Sequence, residues 1–250
     1  MTDRISIEKH PDNEYIGVLS MHDEASKNTF TDAFVDDFIE LLTTLQTDKH
    51  YKAIILKGLP DVFCAGASKE ALMSIFGGGL EVKDLALSEL LINIPVPVIA
   101  AMEGAALGGG FVVALCADIV LMNEKKMYGT NFTNMGFSPG MGCTRLLQGL
   151  VGDFVANEMM FRGRLMKGRE YRGRSLINYI LPKNEIVDKA VDIAMDIAEK
   201  PHQTLHVLKY SLALKKKQLL LDARVQEDFM HKITFGSPEV KGIIEKMYNG

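Results

Sequence analysis

The sequence predicts a layered α/β domain with parallel-type connections, closed by a helical tail. Three observations point to it. Short apolar runs such as "KAIILKG" and "PVPVIAAMEG" have the length of buried strands. Glycine-bearing turns, "FCAGAS" and "AALGGG", follow those runs, and each leads into a helical pattern. Beyond Pro139 apolar residues recur at helical spacing, so that part of the chain reads as helix after helix.

Taken in order, Ile5 to Ile7 and Tyr15 to Met21 read as short strands joined by the turn "PDNE". "TFTDAFVDDFIELLTTLQTD" places a Thr/Asp-rich start before apolar residues at helical spacing, which predicts a helix from about Thr31 to Leu45. "YKAIILKG" is a buried strand stopped by glycine and proline. A helix follows "FCAGASKE", then the loose "FGGGLEVKD", then a second helical stretch from Leu85 to Asn93. "PVPVIAAMEG" is the next buried strand and runs into Gly108, Gly109 and Gly110, after which "FVVALC" reads as a buried helix. "DIVLMNE" and "MYGTNF" are further strands. "NEIVDKAVDIAMDIAEK", "PHQTLHVLKYSLALKKKQ" and "LLLDARVQEDFMHKITF" are helical. The class changes near Lys200–Pro201 without a linker, which divides the chain into a core over residues 1–200 and a helical region over 201–250. So short a helical tail cannot build its own core, and packs on the body or on a neighbouring subunit.

Of 250 residues, 47% are hydrophobic and 24% charged, an ordinary globular balance. The net charge of −4 argues against a nucleic-acid binder, which needs a basic face. Cys64, Cys116 and Cys143 form no CxxC pair and no metal-like cluster with the six histidines. Reduced thiols in a cytoplasmic protein are therefore expected. The start "MTDRISIEKH" has no apolar signal-peptide core, and no apolar stretch approaches the roughly 20 residues of a membrane span. No membrane partner is expected.

The two glycine turns, Gly66–Ala67 and Gly108–Gly110, are the candidate chemistry. The first amides of a helix have no intrahelical acceptor, and the helix dipole favours negative charge there. Two such amides converging make an oxyanion hole. Glycine turns also serve simply to pack backbone tightly, and spacing alone leaves both roles open.

"FCAGAS", "PVIAAMEGAALGGGFVVALCADIVL" and "MGFSPGMGCTRLL", in that order and separation, resemble the crotonase (enoyl-CoA hydratase/isomerase) superfamily along nearly the whole chain. The resemblance implies a spiral of β-β-α units of the ClpP-like kind, with C-terminal helices that assemble a homotrimer or a dimer of trimers. It implies that the amides of Ala67 and Gly109 hold the carbonyl oxygen of an acyl thioester. Cys64, Ala65, Lys69, Gly108, Phe132, Phe137, Pro139 and Gly140 would lie around the acyl group. Hydratases of this family carry glutamates where this chain has Val112 and Phe132. Hydration needs a carboxylate to activate water and a group to deliver a proton. Valine and phenylalanine do neither, so hydration is not expected.

"GASKEAL", "TNFTNMGFSPGMG", "YRG", "EKPHQTLHVLKYSL" and "HKITFGSPEV" are similar to the decarboxylases of polyketide β-branching cassettes. That similarity implies a 3-methylglutaconyl thioester, carried on the phosphopantetheine of an acyl carrier protein or on coenzyme A. Loss of its distal carboxylate leaves a dienolate whose charge the oxyanion hole holds, with no metal or organic cofactor. It also implies a role for His231, either delivering the quenching proton or holding the carboxylate. Some members carry a tyrosine and a lysine where this chain has Ala71 and Ile75. The carboxylate is then met by Lys69 or Lys83, or is left poorly solvated, which favours loss of neutral carbon dioxide. The same departure suggests a product shifted from the α,β- to the β,γ-unsaturated isomer. An enoyl-thioester isomerase and a non-catalytic scaffold of the same fold are the alternatives.

Two further motifs bear on function. "GFSPG" fits a nucleophile-elbow pattern, but Pro139 after Ser138 has no N–H for an oxyanion hole. "FRGRLMKGREYRGR" sets Arg162, Arg164, Lys167, Arg169, Arg172 and Arg174 against a single Glu170, a patch suited either to an acidic carrier protein or to plain solvation. Lys209 and Lys215 to Lys217 are open to the same two readings.

Overall fold

The computed structural model describes residues 3–76 and 83–249. The chain opens with β1 (Ile5–His10) and β2 (Asn13–Met21), an antiparallel hairpin in which Ile5 faces Met21. After β3 (Thr29–Phe30), α1 (Asp32–Leu45) starts where expected, with the Thr31 hydroxyl accepting from the Phe34 amide at 3.2 Å. Then come β4 (Ala53–Lys57), β5 (Val62–Cys64), β6 (Gly66–Ala67), α2 (Lys69–Phe76) and α3 (Lys83–Asn93). The loose "FGGGLEVKD" falls largely outside the described residues. The next elements are β7 (Val98–Met102), β8 (Ala105–Leu107), α4 (Gly109–Cys116), β9 (Ile119–Asn123) and β10 (Met127–Gly129).

Beyond Pro139 the chain is not uniformly helical. After α5 (Cys143–Val151) and α6 (Asp153–Arg162), β11 (Met166–Lys167) and β12 (Tyr179–Leu181) interrupt before α7 (Lys183–Ala198), α8 (His202–Thr234) and α9 (Pro238–Asn249). Strands of two and three residues show no period of their own; each forms because a sheet edge offers it backbone partners. The last two periodic runs form one 33-residue helix, since no breaker separates them.

A six-stranded sheet runs β1-β2-β4-β7-β9-β12, parallel from β2 onward. A second sheet runs β11-β10-β8-β5, and β3 pairs with β6. The apolar runs are buried on both faces. Ile54 and Leu56 of β4, with Val98, Ala100 and Met102 of β7, point into the main core. Ala53, Ile55, Ile99 and Ala101 point the other way, onto Ile186, Ala190 and Ala194 of α7. The four-residue spacing of those α7 residues makes the stripe that covers this face. Each isoleucine, leucine, valine or methionine so buried contributes about 2 kcal/mol.

The tail packs on its own body: α8 lies against α3 and α5, and α9 against α2. The lysines of α8 are partly structural. Lys209 is buried in an ion pair with Asp118, and Lys216 bonds the carbonyls at the end of α4, Leu115 at 3.0 Å among them. A cation suits a helix C-terminus. Carboxylates both within and outside the basic segment meet four of its cations. Arg162 and Arg174 pair with Glu158, Arg172 with Glu124, and Arg164 with Glu170. Among the described residues, no helix is long and apolar enough to cross a membrane.

Candidate active site

The three glycines each answer a different steric demand. Gly108 has φ +52°, which L side chains rarely adopt. A Cβ on Gly109 would come within 2.7 Å of both the Met141 sulfur and the Phe30 ring. A Cβ on Gly110 would stand 2.4 Å from the Cys64 carbonyl oxygen. The run therefore presses α4 against β5 and keeps a hollow open at its first turn. Gly66, at φ +83°, belongs to the same contact: a Cβ there would lie 2.6 Å from the Leu107 carbonyl and 3.5 Å from the Gly109 nitrogen. The turn before Ala67 and the turn before Gly109 thus meet.

Their amides have distinct fates. Gly108 N–H donates to the Gly129 carbonyl at 2.8 Å and is spent on the fold. Gly109 is the first residue of α4, where helix amides lack an intrahelical acceptor. Both Ala67 and Gly109 line a cavity of about 340 Å³.

Of the residues singled out in the sequence, Ala65, Gly66, Ala67, Ile75, Gly108, Gly109, Phe132, Phe137, Gly140 and His231 line this cavity. Cys64, Lys69 and Pro139 are not among its described lining residues. Cys64 is fully buried behind the turn, its thiol bonded to the Asn28 carbonyl. Pro139 is buried and precedes the lining Gly140. Lys69 opens α2 on a half-buried face. The Lys83 side chain lies outside the described residues. Among the described lining residues none is lysine or arginine, and Asp228 is the charged one.

His231 reaches the cavity from the last turns of α8. Its Nε2 lies 3.0 Å from the Ser138 carbonyl, and its ring stands edge-on to Phe235. A Cβ on Gly140 would fall 2.6 Å from His231 Cε1, so glycine there makes room for the imidazole. Burial holds the His231 pKa below the ordinary histidine value, against an opposing push from the Ser138 carbonyl and Asp228. Phe132, Phe137 and Phe235 stack in series, with centroids 5.9 and 4.8 Å apart, and form the apolar wall behind it. Phe132 thus occupies as a hydrophobe the place where hydration would need a carboxylate, while Val112 is buried within α4.

"GFSPG" is not an elbow here. His231 meets the carbonyl of Ser138, while the Ser138 hydroxyl lies 3.3 Å from that of Thr234. Sequence reasoning missed Phe30, Leu72, Met141 and Tyr248, which line the cavity. Met141 gave one signal, its place in "SPGMG"; it sits at φ +63°, with its carbonyl accepting from Ser88 at 2.9 Å. Tyr248 gave none, being 181 residues from its partner Ala67.

The chain matches the enoyl-CoA hydratase/isomerase family over residues 12–248. It is 36% identical over 230 residues to the bacillaene synthase decarboxylase PksI of Bacillus subtilis (strain 168), covering 92% of each chain. A solved structure from a dehydratase/decarboxylase enzyme couple involved in polyketide β-branching superposes with a TM-score of 0.91 at 34% identity, covering 98% of this chain and 99% of that one. The ECH2 decarboxylase domain of CurF from Lyngbya majuscula does so with a TM-score of 0.90 at 30% identity, over 98% and 100% of the two chains. A cavity at paired glycine turns, without glutamates where a hydratase has them, agrees with these likenesses: the chain belongs to the enoyl-CoA hydratase/isomerase family, in the decarboxylase branch of polyketide β-branching.

Proposed function

We propose that the protein decarboxylates a 3-methylglutaconyl-type thioester carried on an acyl carrier protein, with the amides of Ala67 and Gly109 as the oxyanion hole. The observation that carries this reading is the meeting of the two turns at the cavity, with Gly108 N–H already committed and Gly109 opening α4. The C–C bond to the distal carboxylate breaks, and its electron pair delocalises through the double bond onto the thioester oxygen. Amides aimed at that oxygen stabilise the charge in a water-poor site, an effect on the order of 10²–10³ in rate for each donor. The thioester is itself the electron sink, so the reaction needs no metal or organic cofactor. The aromatic wall, and a lining that among the described residues holds neither lysine nor arginine, would leave the departing carboxylate poorly solvated, which favours neutral carbon dioxide.

The carrier protein meets the segment after α6, where six cations face Glu124, Glu158 and Glu170, leaving a positive excess for an acidic partner and its phosphate. We place the protein in the cytoplasm, where its buried Cys64, Cys116 and Cys143 stay reduced. We also assign it a homotrimeric state. Leu221, Val225, Phe229 and Ile233 recur every fourth residue on α8 and are all at least 60% exposed, a stripe that one subunit leaves uncovered.

The test is incubation with 3-methylglutaconyl- and enoyl-loaded carrier protein, followed by mass. Loss of carbon dioxide from the first supports decarboxylation. Double-bond migration in the second without any loss of mass from the first supports an isomerase instead. No change in either would leave a scaffold.

A further inference from the structure

We propose, resting on the decarboxylase reading, that the Tyr248 hydroxyl is a catalytic proton donor that quenches the dienolate at its α carbon. Four observations lead there. Tyr248 on α9 is the only phenol among the described residues lining the cavity that holds Ala67, Gly109 and His231. Its hydroxyl donates to the Ala67 carbonyl at 2.8 Å, so it stands at the thioester end of the site. Ala71, on the helix against which α9 packs, brings no polar group to that wall. The fourth concerns His231. Its Nε2 is engaged with the Ser138 carbonyl, and burial favours the neutral ring, which has no second hydrogen to give.

The chemistry balances. Rotation about the phenol C–O bond turns the hydrogen from the Ala67 carbonyl to the cavity. The O–H bond breaks, and the dienolate electron pair forms a C–H bond at the α carbon. The thioester C=O is restored, and the remaining double bond lies at β,γ. The phenolate then takes a proton from water, with which Tyr248, 42% exposed, is in contact. Burial and the neighbouring Glu70 raise the Tyr248 pKa, so the group stays protonated between turnovers. Protonation at α rather than γ follows from position: the α carbon adjoins the carbonyl held at residue 67, and the γ carbon lies further along the acyl chain.

The test uses the intact protein, 3-methylglutaconyl-loaded carrier protein and deuterated water. Carbon dioxide release, the product isomer and the labelled carbon are read for wild type, Tyr248→Phe and a variant with difluorotyrosine at 248. Wild type is expected to give the β,γ isomer labelled at the α carbon. In Tyr248→Phe, which keeps the ring, the rate of forming that isomer should fall about 100-fold, the scale of a lost general acid. Difluorotyrosine, a stronger acid, should retain it. An unchanged isomer ratio and rate in Tyr248→Phe would overturn the assignment, as would a purely α,β product from wild type. Wild type that releases no carbon dioxide would overturn the functional reading itself, and this assignment with it.

Discussion

At the scale of single residues, the site is built from what glycine leaves out. Gly109→Ala pushes a methyl group into the flexible end of Met141 and into the buried Phe30 ring, filling the hollow at a cost of about 1–3 kcal/mol. Turnover of the folded protein is expected to fall by about 100-fold, the scale of one misplaced oxyanion donor. Gly110→Ala meets the Cys64 carbonyl, which is backbone and cannot swing aside. It should cost about 1–3 kcal/mol in chemical denaturation. His231 adds a pH signature. Its folded pKa lies below the unfolded value of about 6.5, so the unfolded chain binds more protons as pH falls through that range. The histidine's contribution to stability is whole above about pH 6.5 and declines below it. His231→Asn should lose less unfolding free energy than wild type between about pH 7 and about pH 5. Ala67, Gly109 and His231 were legible because each sits in a marked motif. Tyr248 was not, since only tertiary packing of α9 on α2 brings the chain's end to the cavity.

At the scale of elements, helix ends are completed by residues distant in sequence. The N-cap of α5 is Gly142, which has no side chain to satisfy the first amides. Glu227 of α8 supplies the missing acceptor, bonding Gly142 N at 2.7 Å, Thr144 N at 2.9 Å and the Thr144 hydroxyl at 2.6 Å. That carboxylate fixes the register between α5 and α8, and hence where His231 stands over Gly140. Glu227→Gln replaces one acceptor oxygen by a donor facing donors. A stability loss of about 1–3 kcal/mol is expected by urea denaturation. The sequence could show α8 as periodic, but not that Glu227, Lys209 and Lys216 point inward, because the groups that hold them come from α4, α5 and the α4–β9 junction. Two carboxylate partners of the basic segment were hidden for the same reason. Glu124 and Glu158 lie outside the stretch that reads as cationic. β12 escaped notice because three residues carry no period, and β9 supplies its pairing.

At the scale of the whole molecule, one helix serves two surfaces. Asp228, His231 and Phe235 of α8 and the residue that follows it face the cavity, while Leu221, Val225, Phe229 and Ile233 face outward. In the trimer proposed above, assembly and catalysis would share this helix. Val225→Glu with Phe229→Glu should convert a trimer to monomers in sedimentation, and a trimer that persists would remove this stripe from the interface. The central claim, that two main-chain amides grip the thioester oxygen, is tested most directly by a crystal structure with an unreactive analogue of the glutaconyl thioester. Its carbonyl oxygen is expected about 2.7–3.1 Å from the nitrogens of both Ala67 and Gly109. An analogue seated with that oxygen on side chains or water, and those two amides turned to protein acceptors, would contradict it.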